Sequence, residues 1–375
     1  MVLPNELVTA CLYHSAAGPS FLSIWGMKFR LLGSARCILM LIACGASHAD
    51  QVDELVKTQM AEHRIPGLAL TIVQNGKPTK IAGYGLANLE LNSPVTQKTV
   101  FEIGSVTKQF TAAAILLLAQ DAKIAVDNKI GKYISGIPDT WRDITLRHLL
   151  THTSGIKSYT GLEGFELRRH LTQAQFIAAI GAQALDFQPG QSWKYSNTGY
   201  NLLGFIIENV SGKTYWDFLY ERIFCPLSMS STTNRLPTLI IANRASGYEQ
   251  TNHILINRDY DLTDVFSAGA LLSTVGDLAK WSAALDGELL LNAKSKKAMW
   301  EPAVLNDGTI TQYGFGWRLE TVEGHKVIGH GGSTSGFSAG IQRFPADKLA
   351  IVVLTNTDEQ IATSIGRKIA LLYLK

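Results

Sequence analysis

"FEIGSVTKQFTAAAILLLAQ", Phe101 to Gln120, runs into a long apolar helix and carries a lysine where a helix start should not have one. Ser105 suits an N-cap, because a side-chain oxygen there accepts from the unpaired N–H groups of the first turn. A capping box would continue with Glu or Gln three residues on. Lys108 stands there instead, and the partial positive charge of a helix N-terminus repels an ammonium. Two readings follow: a cap beside a solvated lysine, or a nucleophile beside its base. In the second, residues three apart share a helix face with Cβ atoms roughly 5–6 Å apart. The helix terminus and burial both disfavour the ammonium, so a neutral Lys108 would accept the proton of Ser105. Alone, S-x-x-K is a weak pattern.

Two further stretches bear on the choice. "FQPGQSWKYSNTGYNLLGF" passes from the Pro189-Gly190 turn into an apolar helix, placing Tyr195, Ser196 and Asn197 on the loop before it. Asn197 either caps that helix or offers its amide to a substrate carbonyl, and Tyr195 either packs or serves as a phenolate base. "GHGGSTSGF" ends an apolar strand; its glycines either make turns or let a ligand approach backbone N–H groups that face a developing oxyanion.

Around these stretches the pattern is that of an α+β protein. "QVDELVKTQMAEH" reads as an amphipathic helix, followed by two strands joined at Asn75-Gly76, a favoured tight-hairpin pair. Near the other end "HKVIGHGG", "FSAGIQRF" and "LAIVVLTN" read as an antiparallel meander. A last helix places Ile361, Ile365, Ile369 and Leu372 on one face. Helical patterns fill the middle. The expected architecture is an antiparallel sheet from both chain ends (residues 50–104 and 265–375), flanked by terminal helices, with a mainly helical domain inserted at 105–264.

The 375 residues are 46% hydrophobic with a formal net charge of +3, enough for a large core and without the basic stripe that tracks phosphates. Nucleic acid is therefore not an expected partner. From Met27, a basic segment with Lys28, Arg30 and Arg36 precedes the apolar run "CILMLIACG" and the small residues "ASHAD", the order of an export signal. Residues 1–49 are read as an upstream extension plus this signal, with translation expected to begin at Met27. Two outcomes stay open: cleavage after Ala49, releasing a secreted or periplasmic protein, or lipidation of Cys44 in the lipoprotein-like "LIAC". After cleavage only Cys225 remains of four cysteines, so no intramolecular disulfide can form.

Taken together, Ser105-Val106-Thr107-Lys108, Tyr195-Ser196-Asn197 and His330-Gly331-Gly332 resemble the S-x-x-K, Y-x-N and K-T-G-like motifs of the serine β-lactamase and penicillin-binding protein superfamily. Their order and wide spacing match over about residues 52–375. "TLRHLLTHTSGI", "SAGALLSTVGDLAKW", "YGFGW" and "VVLTN" look like segments of its class C β-lactamase-like branch. The resemblance implies an α/β sandwich with a helical domain and the site between them. It implies Ser105 as acylated nucleophile, Lys108 as its activator and Tyr195 as proton relay. Asn197 would orient the substrate amide or Lys108, and the N–H groups of Ser105 and Ser333 would form the oxyanion hole, close to Gly332. No metal or organic cofactor is implied.

His330 departs from the lysine of well-known β-lactamases. A histidine is only partly charged near neutral pH, which weakens attraction for a substrate carboxylate. Members of the superfamily with His-x-Gly include esterases and D-amino-acid peptidases, so efficient β-lactam hydrolysis is not expected as the main activity. The substrate is expected to be a small molecule or peptide, with the cell wall as one candidate source. The rival to turnover is a sensor that is acylated by a β-lactam or wall peptide and stays so. His148 and His152 are four apart on an expected helix, yet "HLLTH" lacks the Glu of a zinc motif, and a buried hydrogen-bonding role suits His152 better. Tyr313 and Trp317 of "YGFGW" are candidate cleft residues.

Overall fold

The structure is a computed structural model that describes residues 48–163, 170–252, 254–258 and 260–374. The segment read as an export signal, with Met27 and Cys44, lies outside them. Helix α1 (His48–Glu62) leads into strands β1 (Gly67–Gln74), β2 (Lys77–Asn88), β3 (Ser93–Pro94) and β4 (Phe101–Glu102). Helices α2 (Thr107–Gln120), α3 (Leu146–Leu150), α4 (Gln173–Gly181), α5 (Asn197–Ser211) and α6 (Tyr215–Leu219) follow. Then come β5 (Thr233–Asn234), β6 (Gly247–Thr251), β7 (Ile254–Arg258), β8 (Leu271–Ser273), α7 (Val275–Ala284) and α8 (Ala293–Met299). The chain closes with β9 (Arg318–Val322), β10 (His325–Thr334), β11 (Phe337–Phe344), β12 (Leu349–Thr355) and α9 (Ala362–Ala370).

The principal sheet has seven strands in the order β3-β2-β1-β12-β11-β10-β9, all antiparallel. It joins the two ends of the chain, with Leu68 opposite Thr355 and Gln74 opposite Leu349. Asn75 and Gly76 turn the first hairpin with φ of 51° and 72°, the paired positive values that such a turn demands. The meander has one strand more than the sequence pattern suggests, because β9 adds an edge that opens on Arg318. At the opposite edge, β3 is two residues long and contains Pro94, which cannot donate to a further strand.

Both faces of the central strands are covered, which explains why "LALTIV" and "LAIVVL" are nearly unbroken apolar runs. Leu68, Leu70, Ile72, Ile351 and Val353 pack under α1 and α9, against Val52, Val56, Ile365 and Ile369. Ala69, Val352 and Leu354 face the other way, into a larger core with Phe110, Leu116 and Trp281. Within that core α2 is buried from Thr107 to Leu118 and packs against α5 and α8. An all-round apolar helix is stable only in such a setting.

A small sheet, β4-β8-β5, delivers the chain to the start of α2. Phe101 pairs with Ser273, and Ile103 N donates to Leu271 O at 3.0 Å. His148 and His152 do not share a helix: α3 ends at Leu150, and His152 takes a left-handed φ of 62°. His148 instead completes a capping box with Thr145.

Candidate active site

Ser105 lies on the single tight turn Gly104–Val106 that leads into α2. Val106 occupies the cap position without a side-chain cap bond, so the Ser105 hydroxyl is not spent on the helix end. It receives Lys108 instead. Lys108 Nζ lies 3.0 Å from Ser105 Oγ, 2.7 Å from Asn197 Oδ1 and 2.7 Å from the Ala268 carbonyl oxygen. The lysine is wholly buried, and burial holds its pKa well below the usual 10.5. A neutral amine has two N–H bonds and one lone pair. Asn197 Oδ1 and the Ala268 carbonyl can only accept, so they take both N–H bonds and leave the lone pair facing Ser105 Oγ.

Each acceptor is itself held. Ser196 caps α5 by accepting from Gly199 N at 3.4 Å, which relieves Asn197 of the capping role that the sequence left open. Asn197 N donates to Ser158 Oγ at 3.1 Å and Asn197 Nδ2 to Thr160 Oγ1 at 3.3 Å, turning Oδ1 toward the lysine. Ala268 follows a kink at Phe266, a non-glycine residue at φ 43° and ψ −131°. Asn201 grips that segment from α5, donating to Asp264 O at 2.9 Å and accepting from Ala268 N at 3.2 Å. Gly204 permits the approach, since a Cβ there would sit 2.1 Å from Ser267 Oγ.

The Tyr195 ring lies 4.8 Å from Lys108 Nζ and 4.2 Å, centroid to centroid, from His152. Its hydroxyl is buried and makes no well-formed hydrogen bond among the described residues. Burial pushes its pKa up, while nearby Ser105 and the Arg318 charge pull it back. His152 accepts from Ser196 N at 3.1 Å through Nδ1, the buried hydrogen-bonding role expected for it. Burial, with Lys108 next in weight, drives its pKa well below 6.5 and keeps it neutral.

The third stretch is the C-terminal half of β10, and glycine lets it lie against the serine turn. A Cβ on Gly332 would sit 2.0 Å from Ile103 O and 2.9 Å from Ser105 N, and one on Gly104 only 2.6 Å from Ser333 N. The two backbones thus touch where Ser105 and Ser333 present their N–H groups. Glu102 ties the arrangement together, accepting from Thr334 Oγ1 at 2.7 Å and pairing with buried Arg235. His330 is 4% exposed; its Nδ1 lies 2.5 Å from Gly331 O and its Nε2 2.8 Å from the Tyr313 hydroxyl. Burial lowers its pKa to about 3, so it is neutral rather than partly charged.

Ser105, Tyr195, His330, Gly332 and Ser333 line one cavity of about 410 Å³. Ser105, Asn197 and Ser333 also line a second of about 420 Å³. With Lys108, bonded to Ser105 and Asn197, the seven residues of the three motif stretches taken as site candidates meet. Tyr313 and Trp317 are buried in the interior instead of walling the cleft; Tyr313 holds His330 and Trp317 belongs to the main core. Sequence reasoning missed three contributors: the Ala268 carbonyl, Tyr313 as the partner of His330, and Arg318, whose side chain reaches the first cavity from the edge strand.

This α+β fold, with a buried lysine facing a serine beside a strand backbone, defines a serine hydrolase of the acyl-transfer class. The chain belongs to the Beta-lactamase family, whose model matches residues 52–374. It is 29% identical to Penicillin-binding protein 4* of Bacillus subtilis (strain 168) over 328 residues, covering 81% of this chain and 71% of that one. It is also 29% identical to Protein flp of Staphylococcus aureus (strain MW2) over 323 residues, 83% of this chain, and spans only 63% of that longer relative. Among solved structures, a D-stereospecific amidohydrolase from Streptomyces sp. superposes with a TM-score of 0.73 at 26% identity, covering 88% of this chain and 99% of that one.

Proposed function

We propose that this protein hydrolyses a small amide or ester through an acyl-Ser105 intermediate, with amides of D-amino acids as the favoured substrate class. The observation that carries the proposal is the Lys108 amine, buried and 3.0 Å from Ser105 Oγ with both other contacts taken by pure acceptors. In acylation Ser105 Oγ bonds to the carbonyl carbon while its proton passes to Lys108 Nζ. The N–H groups of Ser105 and Ser333 stabilise the oxyanion. The carbon–nitrogen or carbon–oxygen bond then breaks. The leaving atom receives a proton through Tyr195, which Lys108 restores. Water attacks the acyl-enzyme with its proton drawn along the same path, and Ser105 is freed.

The similarity to a D-stereospecific amidohydrolase supports an amide of D configuration, and the neutral His330 supports a main activity other than β-lactam hydrolysis. The test is intact-mass analysis of the protein and its Ser105→Ala variant after mixing with a penicillin, a short-chain nitrophenyl ester and a D-alanyl peptide amide. Turnover with a transient adduct, absent in the variant, is the expected result. A persistent adduct would point to a sensor, and no adduct with any of them would overturn the mechanism. Export is part of the same proposal, supported by the signal-like segment at Met27–Ala49. Sequencing the mature N-terminus distinguishes cleavage after Ala49 from lipidation at Cys44.

A further inference from the structure

The segment 262–270, which brings the Ala268 carbonyl to Lys108, is a wall with a cavity on each side. Val265, Ala268 and Gly269 line the 420 Å³ cavity that Ser105 also lines. Thr263, Asp264, Phe266 and Ala270 line a third cavity of about 310 Å³, to which α4, α5 and α6 contribute the remaining sides. Phe266 has the positive φ of 43° that side chains rarely adopt, and the chain kinks there, with its ring lining the third cavity while Ala268 faces Lys108. That ring stacks on Phe205 with centroids 5.3 Å apart and meets Trp216 edge-on at 5.7 Å, and both partners line the same cavity. Beside these rings stands Glu208 of α5, half-buried, with its pKa pushed up by burial. Its Oε1 accepts from Tyr215 N at 2.9 Å, and no cation pairs with it among the described residues. The cavity's other charged residues among those described are engaged: buried Asp264 accepts from His170 N and Leu171 N, each at 3.0 Å, and buried Arg235 pairs with Glu102.

We infer that this third cavity is a second binding site, for a small apolar amine whose ammonium pairs with Glu208 while its body lies against the aromatic rings. A carboxylate drawn out of water beside apolar rings is costly until a charge partner arrives. An ammonium supplies both the charge and the N–H donors, and aromatic faces attract a cation as well. An anion is disfavoured, because Glu208 and Asp264 outnumber Arg235, which Glu102 already neutralises. An uncharged ligand would cover the rings and leave Glu208 without its partner. The volume of about 310 Å³ lies at the small end of ligand pockets and suits a body of one or two rings. Among the described residues, none that lines this cavity lines the 410 Å³ cavity, and only Leu262 is shared with the other. The amine is therefore a ligand separate from the molecule that meets Ser105, and both can be bound at once. The inference stands apart from the acyl-Ser105 reading.

The test is calorimetric titration with tryptamine and with tryptophol, in which a hydroxyl replaces the ammonium on the same indole and arm. Tryptamine is expected to bind roughly tenfold more tightly or better, the worth of a hydrogen bond to a charged group. Glu208→Gln keeps an acceptor for Tyr215 N and should bring the two affinities to about equality. Glu208→Asp keeps the charge on a shorter arm and should retain part of the preference, which a merely structural role for the residue would not produce. Trp216→Ala removes ring surface and leaves the carboxylate, so it should weaken both ligands by a similar factor. Ser105→Trp places an indole at the residue that lines both other cavities, and tryptamine affinity should hold there to within about twofold. Melting curves establish that each variant is folded, and the wild-type preference with its loss in Glu208→Gln decides the matter should Ser105→Trp prove unstable. No tryptamine binding tighter than about 1 mM, equal affinities in the wild type, or a preference that survives Glu208→Gln overturns the inference. So does loss of tryptamine binding in a folded Ser105→Trp, which would put the amine in the acyl-transfer site. None of these titrations requires turnover, so failure of the acyl-enzyme mechanism would leave their result intact.

Discussion

The Tyr313 hydroxyl donates to His330 Nε2 across 2.8 Å in the neutral ring, and with the Gly331 carbonyl this bond fixes the tautomer of the third motif's histidine. On the other side of the ring, 2.5 Å away, the Gly331 carbonyl can only accept, so Nδ1 carries the proton and Nε2 presents its lone pair to Tyr313. A second proton on the ring would turn the Tyr313 bond round, with Nε2–H donating to the hydroxyl oxygen, and would place a charge in a buried pocket, which burial opposes. The position that carries a lysine in well-known β-lactamases is thus a neutral spacer here.

Stability is expected to fall with acid, with His330 contributing. Its folded-state pKa of about 3 lies below the unfolded 6.5, so between these values the unfolded chain binds the extra proton. The stabilisation is complete above pH 6.5 and is lost as pH falls toward 3, at up to about 1.4 kcal/mol per pH unit for one proton. Buried His152 is shifted in the same direction and adds to the slope. Urea unfolding at pH 7.5, 6 and 5 should show the loss, and His330→Gln should reduce the pH slope even if it lowers stability overall. An identical slope in the variant would remove His330 from the account.

Lys108→Met should reduce kcat/KM by about a thousandfold, since it removes the base while nearly preserving side-chain volume. Removing the amine also leaves Asn197 Oδ1 without its closest donor, so melting must be followed alongside activity. In the wild type, activity requires the neutral amine. The pH profile should therefore rise with pH and level off well below 10.5, because burial depresses the lysine. An ascending limb centred near 10.5 would show that the lysine is not the base.

Gly332→Ala tests the contact between β10 and the serine turn. The added methyl would sit 2.0 Å from Ile103 O, so one backbone must retreat. That displaces the N–H groups of Ser105 and Ser333, and loss of one such donor costs about 100- to 1,000-fold in kcat. Gly76→Ala is the control. Its turn has φ 72° and nothing within 4 Å of the new methyl, so it should lower melting temperature while leaving kcat unchanged. Equal kcat in the two variants would contradict the assignment.

The parts legible in sequence were those with a side-chain signature. Asn75-Gly76 announced its hairpin because both residues tolerate positive φ, and Ile361, Ile365 and Ile369 announced α9 by their spacing. Ser105 and Lys108 stood out because a lysine in the first turn contradicts helix electrostatics. The Ala268 carbonyl left no trace, since every residue has one and only the Phe266 kink aims it. His330 could not be read as neutral, because its state depends on burial that only the folded chain supplies. Trp317 looked like a cleft residue because aromatic clusters in core and cleft share a composition. Arg318 opens β9, the strand the sequence pattern did not show, and only the folded chain places it beside a cavity.

Asn197→Asp separates an electrostatic role for residue 197 from mere spacing. The substitution is nearly isosteric and places a carboxylate about where Oδ1 stands, 2.7 Å from Lys108 Nζ. An opposite charge at that distance favours the ammonium, so the lysine pKa rises and less neutral amine is present at neutral pH. Each unit of rise costs roughly tenfold in rate below the new pKa and nothing above it. The ascending limb of the kcat/KM profile should therefore move to higher pH, with activity recovering in alkali. Asn197→Leu removes the acceptor without adding charge, and should lower the rate with no alkaline displacement of the limb. If Asn197→Asp instead depresses activity equally from pH 6 to pH 10, residue 197 does not act through the charge state of Lys108.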